Sequence, residues 1–133
     1  MKKRYFLDEI VNLKLKIDKK PCLIFLKWDL AAWKTTMSKH ILNDILWINA
    51  EISSPTYTYY NKYGENFHFD LYRLQDYDEF FAIWGEEIFD NNSWVILVEW
   101  PELVEKYYSP DIEIILTKTE NDLEREVEVV YNS

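Results

Sequence analysis

Cys22-Leu-Ile-Phe-Leu-Lys-Trp-Asp-Leu-Ala-Ala-Trp-Lys-Thr-Thr36 is the stretch on which the fold of this chain turns. Cys22 to Leu26 form a short continuous apolar run after Pro21 ends a lysine-rich turn. A run of that kind, bounded by turn signals, reads as a strand covered on both faces, as in a parallel sheet. Beyond Thr36, the residues Met37, Ile41, Leu42, Ile45 and Leu46 recur at the spacing of an amphipathic helix. Strand, tight segment and helix is the order in which a phosphate loop occurs, and Lys34-Thr35 is the Lys-[Ser/Thr] ending of the GxxxxGK[ST] pattern. That chemistry needs both halves of the pattern. The lysine meets the β/γ-phosphates, the hydroxyl binds Mg²⁺, and the glycines let backbone N–H groups wrap the phosphates. Here the two glycine positions hold Trp28 and Trp33. Taken literally this is not a phosphate loop, and a helix start with a solvated lysine is the simpler account of Lys34-Thr35.

Towards the N-terminus, Phe6, Ile10, Leu13 and Ile17 stand at helical spacing and predict a helix over residues 5–16. Towards the C-terminus, Ser53-Ser-Pro-Thr56 reads as a loop. Tyr57 to Tyr60 and Asn66 to Leu71 read as strands with Gly64 in the turn between them, a hairpin. Asp76 to Ile83 predicts a short helix whose acidic start suits its positive end. Trp94-Val-Ile-Leu-Val98 is a second continuous apolar run, ended by Glu99-Trp100-Pro101. Asp111 to Leu116 and Glu124 to Tyr131 read as two further strands. In the last, Val127, Val129 and Tyr131 alternate with charge, as on a half-exposed antiparallel strand. The sum is an α/β chain whose mixed sheet has a parallel centre and antiparallel edge strands, expected to form one domain over residues 1–133.

Composition narrows the functions available. With 133 residues, 48% of them hydrophobic, the chain can bury a real core. One cysteine, Cys22, excludes a disulfide framework and a cysteine-based zinc site. No apolar run approaches the roughly 20 residues of a membrane span. Asp8 and Glu9 break the apolar stretch after the basic start, so no signal-peptide core forms and a cytoplasmic location is expected. The 15 basic residues stand against 24 acidic ones, a net charge of −9. Little is left from which to build a phosphate-neutralising face, so any role on nucleic acid should run through a partner.

Ser54-Pro-Thr-Tyr-Thr58, His68-Phe-Asp-Leu-Tyr-Arg-Leu74 and Val98-Glu-Trp-Pro-Glu102 occur in that order and spacing. Together with the 28–36 segment they resemble the TsaE (YjeE) family, P-loop ATPases of tRNA threonylcarbamoyladenosine biosynthesis. The resemblance covers about residues 22–117 and implies a P-loop NTPase-like three-layer domain. It also implies ATP and Mg²⁺ as cofactors, TsaB and TsaD as protein partners, tRNA only indirectly, and no membrane. On that resemblance Trp28, Asp29, Leu30, Ala31, Ala32, Trp33, Lys34, Thr35, Thr36 and Trp100 line the nucleotide, and Thr35 and Glu99 hold Mg²⁺. Lys34, Asp70 and Thr56 take the catalytic roles: phosphate neutralisation, water positioning and γ-phosphate sensing. Each residue also has a plainer reading. Lys34 and Thr35 could be exposed first-turn residues, Glu99 a strand-end carboxylate in water, and Asp70 a partner of Arg73 or a lysine. Thr56 could belong to an ordinary turn, and Trp100 could be a core aromatic. His40 and His68 are too far apart to suggest a metal site and read as structural or surface residues. Tyr57, Tyr59, Tyr60, Tyr63 and Phe67 could form a platform for bases, but hairpin packing explains them better.

The departures from the family pattern are themselves patterned. The chain has two glycines, where about 7% is usual, and six tryptophans. Trp28, Trp33, Trp47 and Trp84 occupy positions where the family has glycine, and Trp94 one where small residues are common, whereas Trp100 matches a family tryptophan. Some genetic codes read UGA as glycine and a commoner variant reads it as tryptophan. A gene of the first kind read with the second table gives this pattern. Trp28→Gly with Trp33→Gly produces a full GxxxxGK[ST] match, with Ala31 still in place of the middle family glycine. The alternative is a chain of the same fold that has lost its loop, a binding module that docks to its partner without nucleotide. A small-molecule kinase would need a lid, and no arginine-rich segment offers one.

Overall fold

The computed structural model describes residues 2–18, 20–28, 34–52, 59–91 and 94–132. The apolar run after Pro21 is strand β2 (Cys22–Trp28), and the second run is β5 (Val95–Glu99), every residue of which is buried. They pair in parallel, Cys22 opposite Val95 and Leu26 opposite Glu99. On the other side of β2 lies β6 (Ile112–Lys118), also parallel, and beyond β5 lies β4 (Asn66–Asp70), parallel again. The edges are antiparallel. β3 (Tyr60–Tyr63) turns into β4 through Gly64, whose φ of 63° suits a residue without Cβ. β7 (Glu124–Tyr131) pairs with β6, and β1 (Lys2–Phe6) pairs with β7. Among the described residues one sheet results, in the order β1-β7-β6-β2-β5-β4-β3.

Helices cover both faces. On one, α1 (Lys34–Lys39) runs directly into a π-helical segment (His40–Ile45), and Met37, Ile41 and Leu42 pack on Ile24, Leu26, Leu97 and Ile114. On the other, α2 (Tyr77–Ala82) and α3 (Gly85–Asp90) bring Phe80, Ile88 and Phe89 onto Phe25, Phe69, Ile96 and Val98. Alternation along the strands assigns successive side chains to opposite cores. Asp76 caps α2 by accepting from Glu79 N at 3.0 Å, the role its acidic start predicted. The hairpin aromatics serve packing: the Tyr60 and Phe69 ring centroids lie 5.0 Å apart.

Three readings need correction. The first hairpin strand, expected over 57–60, is Tyr60–Tyr63, and residues 57 and 58 lie outside the described residues. The helix expected over residues 5–16 is instead strand β1 followed by a 3₁₀ turn (Leu7–Asn12), because backbone pairing with β7 claims Lys2–Phe6. The segment after Ile83 carries a further helix, α3, which spacing alone did not mark. No helix among the described residues is long and apolar enough to cross a membrane.

Candidate active site at the carboxyl ends of the parallel strands

In an open α/β sheet, ligands bind beyond the carboxyl ends of the parallel strands. Here those ends bring two carboxylates together. Glu99 closes β5 and lies opposite both Leu26 of β2 and Asp70, which closes β4. Partners in register share a face, so both acids project to the side covered by α1. Glu99 is 1% exposed and Asp70 3%.

Burying carboxylates requires donors, and the chain supplies them. Ser38 of α1, itself buried, donates its hydroxyl to Glu99 Oε2 at 2.7 Å, and His68 Nε2 hydrogen-bonds the same oxygen. Tyr72 N donates to Asp70 Oδ1 at 3.0 Å, so that the aspartate closes a small turn just past its strand. Leu71 N donates to the Glu99 carbonyl at 3.2 Å, continuing the ladder one step.

Trp100 comes after Glu99 in a left-handed conformation, φ 57° and ψ 60°, and its half-buried indole packs on Tyr72 with ring centroids 5.0 Å apart. Non-glycine residues adopt that conformation only when their surroundings hold them there. Pro101 then starts a 3₁₀ turn (Pro101–Leu103) that carries the chain away.

The structure brings Glu99, Asp70 and Trp100 to one edge. Trp28 ends β2 there, opposite Leu116, and Lys34, Thr35 and Thr36 are the first three residues of α1. Asp29, Leu30, Ala31, Ala32, Trp33 and Thr56 lie outside the described residues. Three neighbours escaped the sequence reading: Ser38, Tyr72 and His68, the last read only as structural or surface. The signal for His68 was its place two residues before Asp70 on a strand, which gives both the same face. His40 is structural, with Nε2 2.7 Å from the Leu13 carbonyl and Nδ1 3.0 Å from Asp44 Oδ2. Lys27 points to the opposite face, between Glu105 at 2.5 Å and Glu113 at 3.4 Å. Burial would lower its pKa, but the hydrogen bonds and charges of the two carboxylates outweigh burial and hold it above the usual lysine value.

Carboxylate and hydroxyl oxygens are hard donors, of the kind that suit Mg²⁺. Among the described residues no group of three or more His, Cys, Asp or Glu side chains could hold a metal ion. Mg²⁺ is commonly held by only one or two protein oxygens, with phosphate and water completing its shell, so an edge with Glu99 and Asp70 would be compatible in chemistry with such an ion.

Residues 6–127 match the family model described as threonylcarbamoyl adenosine biosynthesis protein TsaE. The chain is 28% identical over 115 residues to the tRNA threonylcarbamoyladenosine biosynthesis protein TsaE of Rickettsia felis, covering 84% of this chain and 66% of that one. To the protein of the same name from Haemophilus influenzae it is 34% identical over 124 residues, covering 90% and 76%. The Rickettsia conorii protein, 33% identical over 105 residues and covering 75% of this chain, is spanned over 59% of its own length. The chain thus spans somewhat less than two thirds of these two Rickettsia relatives. The crystal structure of Bacillus subtilis YdiB shares the fold, with a TM-score of 0.60 and 24% identity, covering 99% of this chain and 86% of that one.

Proposed function

Because the chain belongs to the TsaE family, we propose that it is the Mg²⁺-dependent ATPase of tRNA threonylcarbamoyladenosine biosynthesis, acting in the cytoplasm on a TsaB–TsaD partner. The observation that carries this reading is the meeting of Glu99 and Asp70, in register, at the carboxyl edge where α1 also begins with Lys34-Thr35. Lys34 would neutralise the β/γ-phosphates, Thr35 and Glu99 would hold Mg²⁺, and the 28–33 backbone with Thr36 and Trp100 would seat the nucleotide. Bound Mg²⁺ neutralises charge on the phosphoryl oxygens. Asp70, anchored through the Tyr72 amide, orients the attacking water, and Thr56 senses the γ-phosphate. Phosphoryl transfer asks chiefly for positioning and charge neutralisation, so a small domain suffices. ATP turnover then resets the partner between rounds, while the transfer chemistry and the tRNA stay with the partner.

The reading requires glycine at positions 28 and 33, and the backbone elsewhere supports the recoding account. Trp47 and Trp84 both stand one residue past a helix C-cap in the left-handed region, φ 59° and 69°, the place where glycine is commonest. The two residues are 85% and 65% exposed, so burial does not explain tryptophan there. Trp94 differs: its backbone is not left-handed, and its ring lies 4.1 Å from Lys20 Nζ.

Two measurements test the proposal. The tryptic peptide 28–34 from the native cells is expected to weigh as Gly-Asp-Leu-Ala-Ala-Gly-Lys. The native protein is expected to turn over ATP with Mg²⁺, and Lys34→Ala should reduce that turnover at least about 100-fold, on the order expected for a phosphate-binding lysine. A peptide of the mass written in the sequence, with no turnover, would favour the second reading, a partner-binding module without nucleotide, which the tryptophans at 28 and 33 support if they are genuine.

A further inference from the structure

Glu99 does not set its own orientation. Its Oε2 is held from two different elements, by the Ser38 hydroxyl of α1 at 2.7 Å and by His68 Nε2 of β4. His68 is 1% exposed, as buried as the carboxylate it meets. Register brings them together: His68 lies opposite Leu97 in the parallel ladder, and Glu99 comes two residues later on the same face. The other ring nitrogen, Nδ1, is buried with no hydrogen-bond partner among the described residues. A histidine kept only for packing would be expected to satisfy both nitrogens or to be replaced by an apolar side chain. Here the polar function of the ring is spent on Glu99.

We propose that His68 is a positioning residue, whose Nε2 fixes the Glu99 carboxylate in the orientation that receives a divalent cation. The inference rests on the ATPase reading above, since it concerns the carboxylate assigned to Mg²⁺. His68 acts through Glu99 and does not touch the nucleotide.

Glutamine and asparagine separate this role from simple packing. A glutamine amide can occupy the place of Nε2 and still donate to Glu99, whereas the shorter asparagine amide falls near Nδ1. In the chain carrying Trp28→Gly and Trp33→Gly, Mn²⁺ affinity is measured in the presence of ATP, and ATP affinity is measured with and without metal. The result expected is a loss of Mn²⁺ affinity of about 10- to 100-fold in His68→Asn, the range typical of residues that orient a metal ligand. His68→Gln should recover most of that loss, and metal-free ATP affinity should stay level in both. Thermal unfolding accompanies each variant, and Ser38→Ala, which loosens the same oxygen from the other side, should weaken Mn²⁺ as well. Equal Mn²⁺ affinities in His68→Asn, His68→Gln and the parent would overturn the inference alone. A parent that binds no Mn²⁺–ATP would overturn the ATPase reading and this inference with it.

Discussion

Trp47, Trp84 and Trp100 share a backbone conformation and differ in what surrounds the indole. All three lie at φ between 57° and 69°. At Trp100 the strain is held by packing on Tyr72 beside the candidate site, whereas Trp47 and Trp84 are largely exposed. The left-handed conformation costs a residue with Cβ about 1–2 kcal/mol, and glycine gives back about 0.5–1 kcal/mol in unfolded-state entropy. Trp47→Gly and Trp84→Gly should therefore each stabilise the chain by roughly 0.5–1 kcal/mol, read as a higher urea midpoint. Trp100→Gly should destabilise it by roughly 1–3 kcal/mol through lost burial and ring contact. At this scale the sequence was legible where chemistry is carried by residue type and order: Glu99 at the end of an apolar run, and Asp70 in its aromatic strand. It did not show that His68 and Ser38 meet on one oxygen, because that depends on strand register and on how α1 crosses the sheet.

The elements read most clearly were those with the simplest environment. β2 and β5 are buried on both faces and appear as unbroken apolar runs, and α2 announces itself by Asp76. Asp76→Ala removes the cap and should cost about 1 kcal/mol, measurable by denaturant unfolding. β1 was misread because Phe6, Ile10 and Leu13 fit a helix, and only a partner from the far end of the chain makes Lys2–Phe6 a strand. α3 was hidden because Trp84, left-handed between α2 and α3, gives none of the helix-end signal that glycine gives at such a place. Past Pro101, Tyr108 clamps its segment to α3 by donating to Asp90 Oδ1 at 3.1 Å. Burial, and then hydrogen bonds with Tyr77 and Asp90, raise its phenol well above the usual tyrosine value. A raised pKa in the folded state gives stabilisation that is complete below the unfolded value of about 10, and is lost as pH rises from there towards the folded value. The unfolding midpoint should fall above about pH 10, and Tyr108→Phe should flatten that decline.

Across the whole molecule, an acidic surface surrounds a mixed sheet with a core on each face. The net charge of −9 works against compactness, so raising salt from about 0.05 to about 0.5 M should increase the melting temperature by screening like charges. The isolated chain should leave tRNA unshifted in a gel at physiological salt, with a shift appearing only when the partner is present. The fold class was legible because continuous and alternating runs distinguish central from edge strands; the strand order was not, since it is set by pairings between distant segments. One of those pairings bears on how the protein is made. Of the described strands, β1 leaves the ribosome first and β7, its neighbour in the sheet, leaves last. Until β7 emerges, Lys2–Phe6 has no strand to pair with and is a template open to foreign strands. β1 joins the sheet only after every other described strand has been synthesised, so a polypeptide interrupted before residue 124 would carry that strand without a mate and be a natural target for chaperones and proteases.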